Sequence, residues 1–322
     1  MTQHDALPTS PHFTLERVAD GAFAATAVPG TGSASNAGII DLGEKTLIFD
    51  TFLTLRAAHD LRAAAVQLTG RSAAYVVNSH YNGDHIHGNQ VFPEATVIAT
   101  EGTRDLIATR GMDLVNDIGE HGQEYLHEGA QRIVDAQDPT RRRLLELELR
   151  TTRALVEDLP KIALRLPELA FDTRLLLYGS ERCAELLCYG GGHTASDALL
   201  FLPEGRAAFL GDLLFVRSHP SIWQDDYRAW IRILERIALL EPRLVVPGHG
   251  PVGTVNDVTA LRDYLLELER LATDALDSGG TAEDLAAVPI PAQYAGWDEP
   301  DLFYQTLRAI YRSLTGKEAE NS

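Results

Sequence analysis

The sequence predicts an α/β protein interrupted by a block of helices at about residues 101–170. Three observations lead there. Short apolar runs bounded by turn residues, such as Ala73-Ala74-Tyr75-Val76-Val77 and Leu244-Val245-Val246, read as buried strands. Stretches with helical apolar spacing stand between such runs, as at 54–68, 227–239 and 258–272. From Glu101 to Glu168 the strand signals give way to Leu145, Leu149, Leu155, Val156 and Leu159 at helical spacing among Glu and Arg. With 322 residues and no low-complexity linker, the expectation is a single domain, 1–322, that carries the helices as an insertion.

The elements follow in order. Phe13 to Val18 and Ala22 to Val28 form a hairpin around Asp20-Gly21. The Gly- and Ser-rich stretch 29–36 is a loop. Ala37 to Asp41 and Thr46 to Asp50 pair next, the second ending on a carboxylate. A helix from Thr54 ends near Gly70, and the strand Ala73 to Val77 leads into Asn78-Ser79-His80-Tyr81-Asn82-Gly83-Asp84-His85-Ile86-His87-Gly88-Asn89. A short helix and the strand Ala95 to Ala99 precede the insertion, which is long enough for two to four helices. Its charged residues read as a solvated face, or as part of a lid or homodimer surface. Strands resume at Thr173 to Tyr178, Cys183 to Cys188, Ala198 to Leu202 and Arg206 to Leu210, the last closing on Gly211-Asp212. The helix Tyr227 to Leu239, the strand at 244–246 and helices at 258–272 and 302–314 complete the chain.

Composition narrows the function. A net charge of −18 disfavours nucleic acid and anionic membrane surfaces as partners and leaves a small-molecule substrate as the expectation. No run approaches the ~20 apolar residues of a membrane span. Residues 1–22 show no basic segment followed by an apolar one, so no secretory signal is read. The two cysteines, Cys183 and Cys188, lie five apart in a strand and so on opposite faces, which points to free thiols and a cytoplasmic setting.

The central stretch places three histidines, a carboxylate and an amide between His80 and His87. His80 and Asn82, two apart, share a side in extended backbone, and Gly83 lets the chain turn before Asp84 and His85. His193 follows Gly190-Gly191-Gly192, Asp212 follows Gly211, and His249 sits in Pro247-Gly248-His249-Gly250-Pro251. Alone, each reads as an ordinary loop histidine or turn aspartate. Four strand ends carrying ligand-type residues point together to a metal site.

His80 to His85 resembles the His-x-His-x-Asp-His signature of the metallo-β-lactamase superfamily, with Asn82 where the second histidine stands. The Gly-Gly-His193-Thr stretch with Asp197 after it, Gly-Asp212 and Pro-Gly-His249-Gly-Pro look like the remaining ligand motifs, in order. The resemblance covers most of the chain except the helical insertion. It implies a four-layer αββα sandwich with two ligand sets at one edge. His80 and His193 would serve a first metal, Asp84, His85 and His249 a second, with Asp212 bridging. It also implies that Asp50 supports the metal loop from behind; a turn or cap aspartate is the plainer reading.

Imidazole and carboxylate suit Zn²⁺, one ion or two, and iron or manganese as well. Water bound to such an ion ionises near pH ~7, and Asp84 could orient it or take its proton. Asn82 leaves three readings: a mononuclear enzyme at the second site, ligation through the amide oxygen, or a lost first site. His87 could replace the missing imidazole, line the pocket, or lie at the surface. His219 and Trp223, in the loop after Asp212, either contact substrate or anchor the core, whereas Trp230 is expected in the core. His4, His12, His59, His121 and His127 are expected at the surface. The function implied is a metal-dependent hydrolase of a lactone, ester, thioester or β-lactam. The alternatives are a non-catalytic or metal-sensing binding protein on the same fold, and an iron-dependent oxygenase of the superfamily.

Overall fold

The structure is a computed structural model and describes residues 6–222 and 226–315. Strands β1 (Phe13–Ala19), β2 (Ala22–Ala27), β3 (Ala37–Asp41) and β4 (Thr46–Phe49) form an antiparallel meander. Helix α1 (Leu55–Thr69) crosses over to β5 (Ala73–Val77), which pairs parallel with β4. Thr54 caps α1 at its start and Gly70, at φ +75°, closes it in the left-handed conformation that glycine adopts without strain. The short helix α2 (Gly83–Ile86) and a 3₁₀ turn at His87–Val91 lead to β6 (Thr96–Thr100).

The insertion contains α3 (Glu101–Arg110), α4 (Asp113–Asp135) and α5 (Pro139–Asp158). Pro139 opens α5 behind the capping residue Asp138, whose carboxylate accepts from Arg141 N–H at 2.8 Å. At its other end Asp158 is buried and accepts from the Leu55 N–H at 3.0 Å, tying the insertion to the start of α1. The chain returns through β7 (Leu169–Phe171), a strand that the apolar pattern does not reveal, and completes a seven-stranded sheet in sequence order.

The second sheet is an antiparallel run of β8 (Arg174–Tyr178), β9 (Cys183–Cys188), β10 (Ala198–Leu202) and β11 (Ala207–Phe215). After α6 (Tyr227–Leu239), β12 (Leu244–His249) adds parallel to β11 at the edge. Helices α7 (Val255–Asp277) and α8 (Pro300–Thr315) cover its outer face. Expected to stop at Gly211-Asp212, β11 instead runs on to Phe215, because its register against β12 shifts around Gly211 and pairing resumes beyond.

Side-chain alternation sets the layers. In β4, Leu47 and Phe49 face the second sheet while Ile48 faces α1; in β10, Leu200 and Leu202 face the first sheet while Leu199 and Phe201 face the outer helices. Each sheet therefore buries both faces, and the order is helix, sheet, sheet, helix. Gly38 marks a close approach between the sheets: a Cβ there would sit 2.6 Å from the ring of Phe209. Among the described residues no helix is long and apolar enough to cross a membrane.

Candidate metal centre

Both sheets deliver ligand-type side chains to one edge. The loop after β5 brings His80, Asn82, Asp84 and His85; the second sheet brings His193 after β9, Asp212 within β11 and His249 at the end of β12. They form two groups, His80 with His193 and Asp212, and Asp84 with His85 and His249, the ligand atoms of each lying within 4.8 Å of one another. Asp212 lies between them. Its Oδ1 is 3.2 Å from His85 Nε2, and its Oδ2 is 3.3 Å from His193 Nε2, 3.4 Å from His249 Nε2 and 3.8 Å from His80 Nε2. Asp84 Oδ2 stands 3.5 Å from His85 Nε2 and 3.4 Å from His249 Nε2. Ligands held ~2.0–2.2 Å from a tetrahedral ion lie roughly 3.4 Å apart, so these separations match a metal's coordination shell.

Hydrogen bonds behind the ligands fix the tautomers. His85 Nδ1 donates to Asp50 Oδ2 at 2.8 Å. The Ser79 hydroxyl also donates to Asp50 Oδ2, at 2.7 Å, so Ser79 Oγ accepts from His80 Nδ1 at 2.9 Å. His193 Nδ1 donates to the Ser221 carbonyl at 3.0 Å. Each neutral ring therefore turns the lone pair of Nε2 into the site. His80 Nε2, His85 Nε2 and Asp212 Oδ1 are buried without a hydrogen-bond partner, and His193 Nε2 faces Asn82 Oδ1 at 3.2 Å and Asp212 Oδ2. Lone pairs aimed at lone pairs in a buried site are unfavourable unless positive charge lies among them. The residues present fit a divalent cation, as a nitrogen and oxygen donor set suited to zinc, iron or manganese.

The electrostatics agree. Burial pulls His80 well below its ordinary value, with the charge of His85 adding to the effect. Burial opposes the charged form of His85 too, but Asp84, Asp212 and Asp50 outweigh it and hold His85 well above the usual imidazole range. Burial alone would raise Asp212; His249, His85 and His193 instead hold it well below the usual carboxylate range. Where no metal is bound, a shared proton would supply part of the missing positive charge. His80, His85 and His193 are enclosed, whereas the side chains of His249 and Asp84 are 27% and 20% exposed, so the second group faces the mouth.

The backbone makes room for this. A Cβ on Gly248 would collide with the Asp212 carboxylate, and Gly211, at φ +51°, brings β11 against Ser79. Asp197 organises the turn before His193, accepting from the Gly192 and Thr194 N–H groups at 2.7 and 3.0 Å and from the Thr194 hydroxyl at 2.8 Å. Burial pushes the Asp197 carboxyl up to about 7 despite those donors. Asn36 holds the His249 loop through the carbonyls of Pro247 and Gly250, at 2.9 and 2.8 Å.

The remaining expectations divide. Asp50 sits behind the site, in left-handed backbone (φ +57°), bonded to Ser79 and His85. His87 does not join either group: its ring is buried, with Nδ1 3.3 Å from the Leu53 carbonyl, because α2 turns it away behind Gly83. It is neither a replacement ligand nor a surface residue. His219 is fully buried beside Tyr264, Trp297 and Phe303, its Nδ1 2.9 Å from the Tyr264 hydroxyl, so it anchors the core. Trp223 lies outside the described residues. Trp230 is buried as expected, and its ring also packs edge-on against His193. His12 is half-buried rather than free at the surface, with Nδ1 bonded to the Thr31 carbonyl. Sequence reasoning missed Ser79, adjacent to His80, and the Ser221 carbonyl, which no side-chain pattern marks.

A four-layer α/β sandwich with two histidine and carboxylate groups at one edge defines a class of metallo-hydrolase-type proteins. Residues 30–249 match the family model described as the metallo-beta-lactamase superfamily, and the chain belongs to that superfamily. No curated protein sequence matches the chain. Among solved structures, it is similar to a metallo-beta-lactamase from Pontibacter korlensis, at 15% identity and a TM-score of 0.56, over 78% of this chain and 98% of that one. It is also similar to the stereoselective inverting sec-alkylsulfatase Pisa1 from Pseudomonas sp., at 16% identity and a TM-score of 0.64, over 96% of this chain. The chain spans about half of that sulfatase, 51% of its length. The DIM-1 metallo-beta-lactamase matches at 16% identity and a TM-score of 0.52, over 79% of this chain and 96% of that one. At these identities the likeness shows the fold.

Proposed function

We propose that the chain is a metal-dependent hydrolase that acts on a small carbonyl substrate, a lactone, ester, thioester or β-lactam, with zinc as the first candidate metal. The observation that carries this is the convergence of histidine Nε2 atoms from both sheets on Asp212. His80, His193, Asp212 and Asn82 would hold one ion, and Asp84, His85, His249 and Asp212 the other. Such ions supply Lewis acidity and lower the pKa of water in the site.

The chain's own groups do the rest. Asp50 and Ser79 keep His85 and His80 in the tautomers that present Nε2. Asp84, partly exposed at the mouth, is placed to orient the attacking water and accept its proton. Asn82 offers Oδ1, a harder and weaker donor than imidazole. Rotation of the amide would turn its contact with His193 into an ordinary N–H···N hydrogen bond and remove it as a ligand. A second substrate class, sulfate esters, is favoured by one observation: the likeness to the alkylsulfatase extends over 96% of the chain, the insertion included.

The test is the metal content of the purified protein and of Asn82→His, beside turnover of lactones, esters, thioesters, β-lactams and secondary alkyl sulfates. Two metals per wild-type chain with turnover supports the binuclear reading. One metal rising to two in the variant means that Asn82 breaks the first site. Metal without turnover on any substrate favours a binding protein, and no metal in either protein overturns the proposal.

A further inference from the structure

Away from the metal centre, a groove of about 360 Å³ opens between the start of β1, the Gly30-Thr31 turn, the first residues of α1 and the last turns of α5. Its lining includes His12, Arg56, Arg150, Arg153 and Glu157. Arg56 is paired with Glu157 at 3.0 Å and reaches toward Asp158 at 4.0 Å. On α4 and α5, Arg132 bonds Glu148, Arg141 bonds Asp301 and Arg142 bonds the Ala136 carbonyl, whereas the Arg143 side chain has no partner among the described residues. The side chains of Arg150 and Arg153 form no ion pair or hydrogen bond among the described residues, although Glu146 and Glu157 each lie one helical turn away from one of them. The groove thus holds two uncompensated guanidinium groups in a chain whose net charge is −18.

His12 lines one wall of the groove, its ring oriented by donation from Nδ1 to the Thr31 carbonyl at 2.8 Å. Gly30, at φ +76°, makes the turn on this wall, packed against Leu147 of α5.

We infer that this groove binds a small molecule through a tetrahedral oxyanion, a phosphate or sulfate group, held by Arg150 and Arg153 with His12 beside it. Guanidinium groups match such oxyanions through paired N–H donors, and neither arginine need break an existing ion pair to do so. The groove's volume lies within the range of small-molecule sites. A long polyanion is disfavoured by the chain's net charge of −18. The 29–36 loop joins the groove to the metal centre: Thr31 lines the groove, and the Ser35 hydroxyl donates to the Asp84 carbonyl. An occupant therefore touches the loop that buttresses Asp84.

The test titrates inorganic sulfate and inorganic phosphate into the metal-loaded protein in an anion-poor buffer, by calorimetry, with hydrogen exchange to locate the binding. The comparison is the double variant Arg150→Gln/Arg153→Gln, whose changes are on exposed side chains. Saturable binding that protects 29–36 and 150–157 and weakens at least tenfold in the variant supports the inference. Protection confined to 79–85, 193 and 249 would place the anion on the metals and overturn it. Absent binding, or equal affinity in the two proteins, would overturn it as well.

Discussion

At the scale of single residues, the site depends on groups that stand behind the ligand-type side chains. Asp50 fixes His85 through a 2.8 Å bond and receives both the N–H and the hydroxyl of Ser79, which in turn orients His80. Asp50→Asn removes the charge while keeping the shape. Loss of a partner behind a ligand typically weakens metal binding roughly 10–100-fold; competition with a chromophoric chelator should show a loss of that order with an unchanged circular dichroism spectrum. His219 gives the pH prediction. Burial lowers it to about 4, below its ordinary value near 6.5. Its folded pKa lies under the unfolded one, so its contribution is complete above about pH 6.5 and is lost as pH falls from there toward 4. Between pH 7 and pH 5 this single group costs about 2 kcal/mol. His219→Gln keeps a partner for Tyr264 without titrating, and denaturant unfolding at the two pH values should lose about 2 kcal/mol less in that variant.

At the scale of elements, the insertion is fastened at its exit. The buried Asp158 carboxylate accepts the first N–H of α1, which has no partner within the helix, and lies near Arg56 and Lys161. Hydrogen bonds to charged groups are worth roughly 1.5–3 kcal/mol, so Asp158→Ala should lower stability by about 2 kcal/mol in calorimetry; an unchanged Tm would show that the insertion is docked by apolar contacts alone. Most elements were legible because their apolar period matched their burial: α6, at Tyr227–Leu239, has the predicted limits. Two were not. Strand β7 has three residues and buries only Phe171, too little for a period to show. The far half of β11 was hidden because Gly211-Asp212 looks like a turn in sequence, whereas in the sheet it is a register shift that aims Asp212 at the histidines. The candidate ligands were legible for a related reason, since the glycines that let each chain approach sit next to them. The core role of His219 was not, because its partners come from 45 residues onward, at Tyr264, and from the C-terminal segment beyond.

At the scale of the whole molecule, the two ligand groups join the sheets. His80, Asp84 and His85 follow β5 in the first sheet, and His193, Asp212 and His249 belong to the second. An ion bound by both sets would cross-link the layers at one edge, adding to the hydrogen bonds that Asn36 makes there to the His249 loop. A ligand present at 100 times its Kd stabilises the state that binds it by about 2.7 kcal/mol. For a chain of this size each kcal/mol moves Tm by roughly 2 °C, so stripping the metal with a chelator should lower Tm by several degrees, and zinc should restore it. The loss should be local before it is global. Amides at 78–89 and 190–197 should exchange faster in the stripped protein, while β3, β4 and β10, packed between the layers away from that edge, keep their protection. Equal exchange in both forms would mean that hydrogen bonds through Asp50, Asn36 and Asp197 hold the edge without an ion. The site would then be preorganised for metal instead of being organised by it.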